Sequence, residues 1–180
     1  MAKRVFKSDL SVKGIEQLKK DLINYKNGLS NKLDRFVLKL AESGIPTVEQ
    51  DIQQAQYTYS DKGIQSGSDT EHNVYVKLDK LIGLSQATLV LEGREVLFIE
   101  FGAGVHYNGE VGSSPHPKGQ ENSFLIGTYG MGNGSKQIWG YYADNGDLVL
   151  TRGTKATMPM YNASQEIINN VVRIAKEVFN

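Results

Sequence analysis

Ile15, Leu18, Leu22, Tyr25, Leu29, Leu33, Phe36 and Leu40 follow one another at steps of three or four residues without losing phase. At 3.6 residues per turn, that spacing lines all eight along one face of a helix. It predicts one long helix from Ser11 to Ser43, with Ser11 as its cap and Gly44 past its end. Gly28 lowers the helix propensity by about 1 kcal/mol relative to alanine but leaves the phase intact; a break at Asn27-Gly28 is the alternative. A shorter helix follows. Thr47-Val48-Glu49-Gln50 has the form of a capping box, in which Thr47 and Gln50 satisfy each other's free amides. Val48, Ile52 and Ala55 give that helix an apolar side as far as Gln56.

From Tyr57 onward the period changes to two. Val74, Val76 and Leu78 alternate with Tyr75, Lys77 and Asp79, the pattern of a half-buried strand. Ala87 to Leu91 and Val96 to Phe101 are more uniformly apolar and predict more central strands, joined by a turn at Glu92-Gly93-Arg94. The polar segment Asp61 to His72 reads as a mobile loop. Residues 102–140 hold ten of the nineteen glycines and no periodicity, and connections of that length are usually functional or disordered. Asp144-Asn145-Gly146-Asp147, set between two apolar runs, predicts a hairpin whose two central turn residues take positive φ.

The last helix starts at Pro159, where the missing amide costs nothing. Met160, Ala163, Ile167, Val171, Ile174 and Val178 form one apolar row, with Ile168, Val172, Ala175 and Phe179 in a second beside it. Two rows exceed what a surface helix needs, so this helix is expected against the sheet, at an interface, or both. The fold class is α+β, in a single domain over 1–180. Its helical amino-terminal region covers 1–56, a small, mainly antiparallel sheet 57–101, the glycine-rich loop 102–137, the hairpin 138–151, and a carboxyl-terminal helix packed on the sheet 158–179.

Composition removes several functions. There is no cysteine, which excludes a disulfide framework and any zinc site with thiolate ligands. The longest apolar run, Val96 to Ile99, is far too short for a membrane-spanning helix, and residues 1–10 lack the apolar stretch of a signal peptide. A soluble protein made in the cytoplasm is expected. The zero net charge hides an uneven spread. Residues 1–44 hold ten Lys/Arg against five Asp/Glu, residues 45–150 six against thirteen, and the last thirty four against two. Solvated helix faces account for such a spread; it also suits head-to-tail contacts between copies or a basic arm near a phosphate backbone.

No catalytic motif stands out. Gly127 to Lys136 lacks the lysine directly after the second glycine that a phosphate-binding P-loop requires, and Gly102-Ala103-Gly104 lacks the third glycine of a dinucleotide fingerprint. His72, His106 and His116 are expected as exposed loop histidines, with neither metal nor cofactor assigned. Trp139, Tyr141 and Tyr142 read as sheet-core aromatics, because only Lys136 supplies the nearby charge that nucleic-acid stacking needs. Glu100 follows Phe98 at the edge of an apolar layer. Its carboxylate must find donors, and the amides of a turn at Gly102 to Gly104 are the nearest.

The strand end Glu100-Phe101-Gly102, followed by Gly104, and the helix start Met158-Pro159-Met160-Tyr161-Asn162-Ala163 together resemble a family of phage neck proteins. These are the tail-completion or head–tail joining proteins of tailed phages and prophages. The order of elements agrees over most of the chain, with an amphipathic helix first, a small sheet, a variable loop after the Glu-Phe-Gly, and a proline-led final helix. Ala103 stands where the family often has threonine, and Met160 where it often has phenylalanine. The resemblance implies a structural virion protein without catalysis, made in the host cytoplasm. Glu100, Phe101, Gly102, Gly104, Met158, Pro159 and Ala163 would be its assembly motif. It further implies a ring of copies, usually a hexamer, between the head connector or adaptor proteins and the tail terminator or tail tube. DNA would pass through the lumen without specific binding, and no membrane is involved.

The alternative is a metal-dependent or general-acid hydrolase using Glu100, His106 and His116. A third class is a nucleic-acid or partner-binding module built on the basic first helix, recognisable by a steep salt dependence of DNA affinity.

Overall fold

The computed structural model describes residues 5–9, 11–81, 84–103, 114–119, 121–122 and 138–180. The chain is mixed α+β. Two helices come first, α1 (Val12–Glu42) and α2 (Ile45–Gln54). Short strands β1 (Thr58–Tyr59) and β2 (Gln65–Ser66) precede a long hairpin of β3 (His72–Leu81) and β4 (Leu84–Gly93). Helix α3 (Val96–Phe101), strands β5 (Trp139–Tyr142) and β6 (Leu148–Thr151), and helix α4 (Pro159–Phe179) complete it.

Helix α1 forms as its stripe predicts. The Ser11 side chain accepts the Gly14 amide at 3.0 Å, which caps the first turn. The helix runs unbroken through Gly28 and ends at Ser43. Gly44 then lets the chain reverse into α2 at close quarters. A Cβ there would stand 3.0 Å from the side-chain ends of both Ile167 of α4 and Leu89 of β4, so a larger residue would force those two side chains to shift by a few tenths of an ångström. The expected capping box is not used. Helix α2 begins two residues earlier than Thr47, with Pro46 in its first turn and no side-chain cap.

Among the described residues the β structure divides into two small sheets. One is the antiparallel pair β3–β4, in register from His72 opposite Gly93 to Leu81 opposite Leu84. The other has the order β1-β2-β6-β5 and is antiparallel except where Gln65 pairs Thr151 in parallel. The segment expected as a mobile loop, Asp61 to His72, supplies β2 and buries Ile64, Gln65 and Ser68. Its polar residues tolerate burial because their bonds are met. Ser68 Oγ lies 2.5 Å from Thr154 Oγ1, and the Gln65 amide oxygen accepts from the Tyr141 hydroxyl.

The hairpin at Asp144-Asn145-Gly146-Asp147 forms, by a different turn. Only Gly146 takes positive φ; its amide bonds to the Ala143 carbonyl, and the Ala143 amide to that of Asp147. This is a three-residue loop closed by a glycine bulge. Tyr142, expected in a sheet core, is exposed.

The expected strand Val96 to Phe101 is helical. A short run that is apolar but for Glu100 carries no period that tells strand from helix. The backbone bonds show the helix: the Ile99 amide reaches the Glu95 carbonyl and the Gly102 amide that of Phe98, which leaves Ile99, Glu100 and Phe101 all buried. The core accordingly draws on both layers. Val48 and Ile52 of α2, Ala55 just past its end, Ile99 of α3 and Ala163 of α4 pack together, with Val74, Leu89 and Leu91 of the hairpin and Met160 against them. Helix α4 buries its first apolar row at Ala163, Ile174 and Val178, whereas Ile168 and Val172 of the second row stay 63% and 65% exposed. Lys39 of α1 pairs Glu177 of α4, and Phe36 meets Phe179 edge to face, so the two helices run antiparallel. Among the described residues no helix is long and apolar enough to cross a membrane.

Candidate functional site

The end of α3 and the start of α4 form one joint. Helix α3 stops at Gly102, whose amide bonds back to the Phe98 carbonyl at 2.8 Å while its backbone takes φ 82° and ψ 161°. That conformation is open essentially to glycine alone. Ala103 then exchanges both backbone bonds with Thr154, at 2.8 and 3.0 Å. The segment entering α4 is thereby laid beside the end of α3, and the Thr157 amide reaches the Ile99 carbonyl. Met158 turns the chain with φ 59° and ψ 47°, a left-handed conformation held by a non-glycine residue. Pro159, buried and first in the helix, sets the axis of α4.

Met158 has no side chain able to cap the helix it starts. Glu100 does so from the other element. Its Oε2 accepts the Met160 amide at 2.8 Å and its Oε1 the Tyr161 amide at 3.0 Å. These are orphan donors of the first turn, and the positive end of the helix dipole favours the carboxylate there. Of the donors expected at Gly102 to Gly104, the Gly102 and Ala103 amides bond to the Phe98 and Thr154 carbonyls instead, and Gly104 lies outside the described residues.

A third donor comes from the glycine-rich loop. His116 Nε2 lies 3.0 Å from Glu100 Oε1, and both residues are buried, at 8% and 7% exposure. His116 is therefore no exposed loop histidine. Its ring lies 4.4 Å from that of Phe101 and 5.4 Å from that of Tyr161, between the two helices. Its backbone is anchored as well: Ser114 Oγ donates to the Phe101 carbonyl at 2.6 Å and accepts the His116 amide. The Lys118 amide donates to His116 Nδ1 at 3.0 Å. With Nδ1 accepting, the proton sits on Nε2 and is donated to Glu100. Three N–H groups thus surround one buried carboxylate, which meets its solvation need without a cation.

His72 has the opposite environment. It lies at the start of β3, with Nδ1 2.6 Å from the Thr70 carbonyl and Nε2 2.8 Å from Glu49 of α2. Both nitrogens face acceptors, so only the imidazolium satisfies both. Burial lowers its pKa, but the bond to Thr70 and the bond and charge of Glu49 outweigh that and raise it above the usual value. His72 too is tied into the fold. Glu95, at the head of α3, accepts the Tyr57 hydroxyl and the Asp69 amide. Burial, followed by the Glu95 charge, pushes the Tyr57 phenol above its ordinary range.

Of the residues in the expected assembly motif, Glu100, Phe101, Gly102, Met158, Pro159 and Ala163 are brought together at this joint. His106 lies outside the described residues. His116 belongs to the site although its sequence context reads as an exposed loop. Pro115 and Pro117 on either side of it are the available signal, since they stiffen the backbone that presents it. Among the described residues no three His, Asp or Glu side chains come together as a metal site. No family model matches the chain, and neither does any curated protein or solved structure.

Proposed function

We propose that the chain is a structural neck component of a tailed phage or prophage, a tail-completion or head–tail joining protein. In this reading it works in the virion as a ring of copies between head connector and tail tube, after assembly in the host cytoplasm, and it carries out no catalytic step. The observation that supports it most is the bond from Glu100 to the Met160 and Tyr161 amides. It makes the two separated pieces of the resemblance one physical joint, with the loop between them anchored there through His116. A joint of this kind fixes the direction of α4 relative to the rest of the fold, and α4 carries apolar surface at Ile168 and Val172 that its own core does not use. Deleting the gene from the phage or prophage that encodes it is expected to leave filled heads beside complete, unattached tails in electron micrographs. Intact particles in normal number would remove the protein from the joining step.

The contact between Glu100 and His116 favours a second reading, a hydrolase that uses them as an acid–base pair. Against it, both Glu100 oxygens and both ring nitrogens of His116 are already engaged within the protein. Stoichiometric zinc or manganese in the purified protein, lost in His106→Ala, would support the hydrolase.

A further inference from the structure

The last third of α1 lies against the hairpin and α4, while nearer its start the described contact is a local one, the Phe6 ring meeting that of Tyr25 at 5.5 Å. Ser85, at the start of β4, donates to Asp34 at 2.6 Å, and Leu89 reaches Gly44, so α1 and β4 run side by side from Asp34 onward. Residues 12–33 continue beyond that point for about 33 Å, at 1.5 Å per residue. Along this length the apolar stripe is exposed at Ile15, Leu22, Leu29 and Leu33, by 39% to 51%. The flanks are basic, with Lys13, Lys19, Lys20, Lys26 and Lys32 against Glu16 and Asp21.

The opposite end of the molecule is acidic. Asp69, Glu71, Glu92, Glu95 and Asp144 gather around the base of the β3–β4 hairpin. The Asp69 amide bonds to Glu95 and its carboxylate to the Glu71 amide; Glu92 precedes Gly93, which pairs His72; Asp144 pairs Arg94, and the His72 charge is turned to Glu49 of α2. Exposed apolar side chains lie on the same elements, at Leu97, Tyr142 and Leu148.

These ends cannot neutralise each other within one copy. Ser85, beside Asp34, and Glu92 are seven residues apart on β4, about 23 Å, which exceeds a screening length of about 8–10 Å at ordinary salt. Pairing α1 with α1 of another copy would set two basic flanks together. The acidic end of another copy offers the opposite charge with apolar side chains beside it.

We propose that residues 12–33 of α1 dock onto the acidic end of a second copy, with Leu22 and Leu29 covered and Lys19 and Lys20 facing Glu71 and Glu92. The contact is head to tail, so each copy keeps a free arm and a free acidic end for the next. It deepens the ring reading but rests on it only for the expectation that the rotation closes.

The test is the mass of the full chain by sedimentation velocity, from low concentration up to about 200 µM, where even weak self-association registers. The wild type is expected to gain mass with concentration, and Leu22→Asp with Leu29→Asp to remain monomeric with an unchanged circular dichroism spectrum. Lys19→Glu with Lys20→Glu, and separately Glu71→Lys with Glu92→Lys, are each expected to weaken association by about tenfold or more. Mixing the two charge-reversed proteins should restore it. A wild type that stays monomeric, an aspartate variant that associates normally, or a mixture that fails to recover would overturn the docking surface. A monomeric wild type whose gene deletion still leaves heads unjoined would overturn this contact and leave the neck reading standing.

Discussion

Glu100 accepts the backbone amide of Met160 at 2.8 Å across sixty residues of chain, and so caps a helix to which it does not belong. Local capping residues act within one turn, and the residue at that position here, Met158, has no group to offer. The first turn of α4 therefore forms correctly only when α3 is already in place beside it. This couples the two helices and makes their joint sensitive to a single carboxylate.

Removing that carboxylate should be costly. Glu100→Ala leaves the Met160 and Tyr161 amides and His116 Nε2 without an acceptor in a buried site, and the expected loss is about 3 kcal/mol. Glu100→Gln keeps an oxygen but turns an amide N–H toward donors, for an expected loss of about 1–2 kcal/mol. Urea denaturation measures both, with the midpoint falling and the slope unchanged. An alanine variant as stable as wild type would mean the cap contributes nothing.

His116→Ala tests the anchor of the loop. It removes the third donor to Glu100 and a ring seated between Phe101 and Tyr161, at an expected cost of about 2 kcal/mol. Hydrogen exchange should speed up at Lys118 and Gly119, whose amides bond to His116 itself, before it does in the core. Unchanged exchange there would remove His116 from the role of anchor.

The two unusual backbone positions should respond in opposite directions. Met158→Gly relieves a left-handed conformation and is expected to gain about 0.5–1 kcal/mol, while Met158→Ile, β-branched in the same conformation, should lose about 1–2 kcal/mol. Gly102→Val must enter a region closed to side chains, at φ 82° and ψ 161°, and is expected to lose about 2–3 kcal/mol. The protomer should survive that loss if its total stability is in the ordinary range of about 5–15 kcal/mol. Thermal melts of the three variants decide the order.

The His72–Glu49 contact predicts a pH dependence of defined sign. The folded-state pKa of His72 is raised above 6.5, so the folded protein binds the proton more tightly than the unfolded chain does. The stabilisation is complete below the unfolded value and is lost as pH rises through the folded one. The stability difference between wild type and His72→Gln should thus be larger near pH 5.5 than near pH 8.5. A difference that grows toward alkaline pH would reverse the assignment.

The periodic parts of this fold are legible in the chain itself. The stripe from Ile15 to Leu40, the alternation around Val76, Ser11 as a cap and Pro159 as a helix start each carry their signal within a few turns, and each is found. Where a signal has no period, the sequence is insufficient. Val96 to Phe101 reads as a strand and folds as a helix, and the capping box at Thr47 loses to the bend at Gly44, where Ile167 and Leu89 pack. The partners of Glu100 and His116 are beyond its reach for a different reason. A buried carboxylate needs donors, which sequence says; the donors it finds are sixteen, sixty and sixty-one residues away, which only chain packing decides. Local periodicity reflects local sterics and hydropathy, and so it is written residue by residue. The joint between α3 and α4 arises from burial of polar groups that must find one another in three dimensions, and that is settled only when the whole chain is folded.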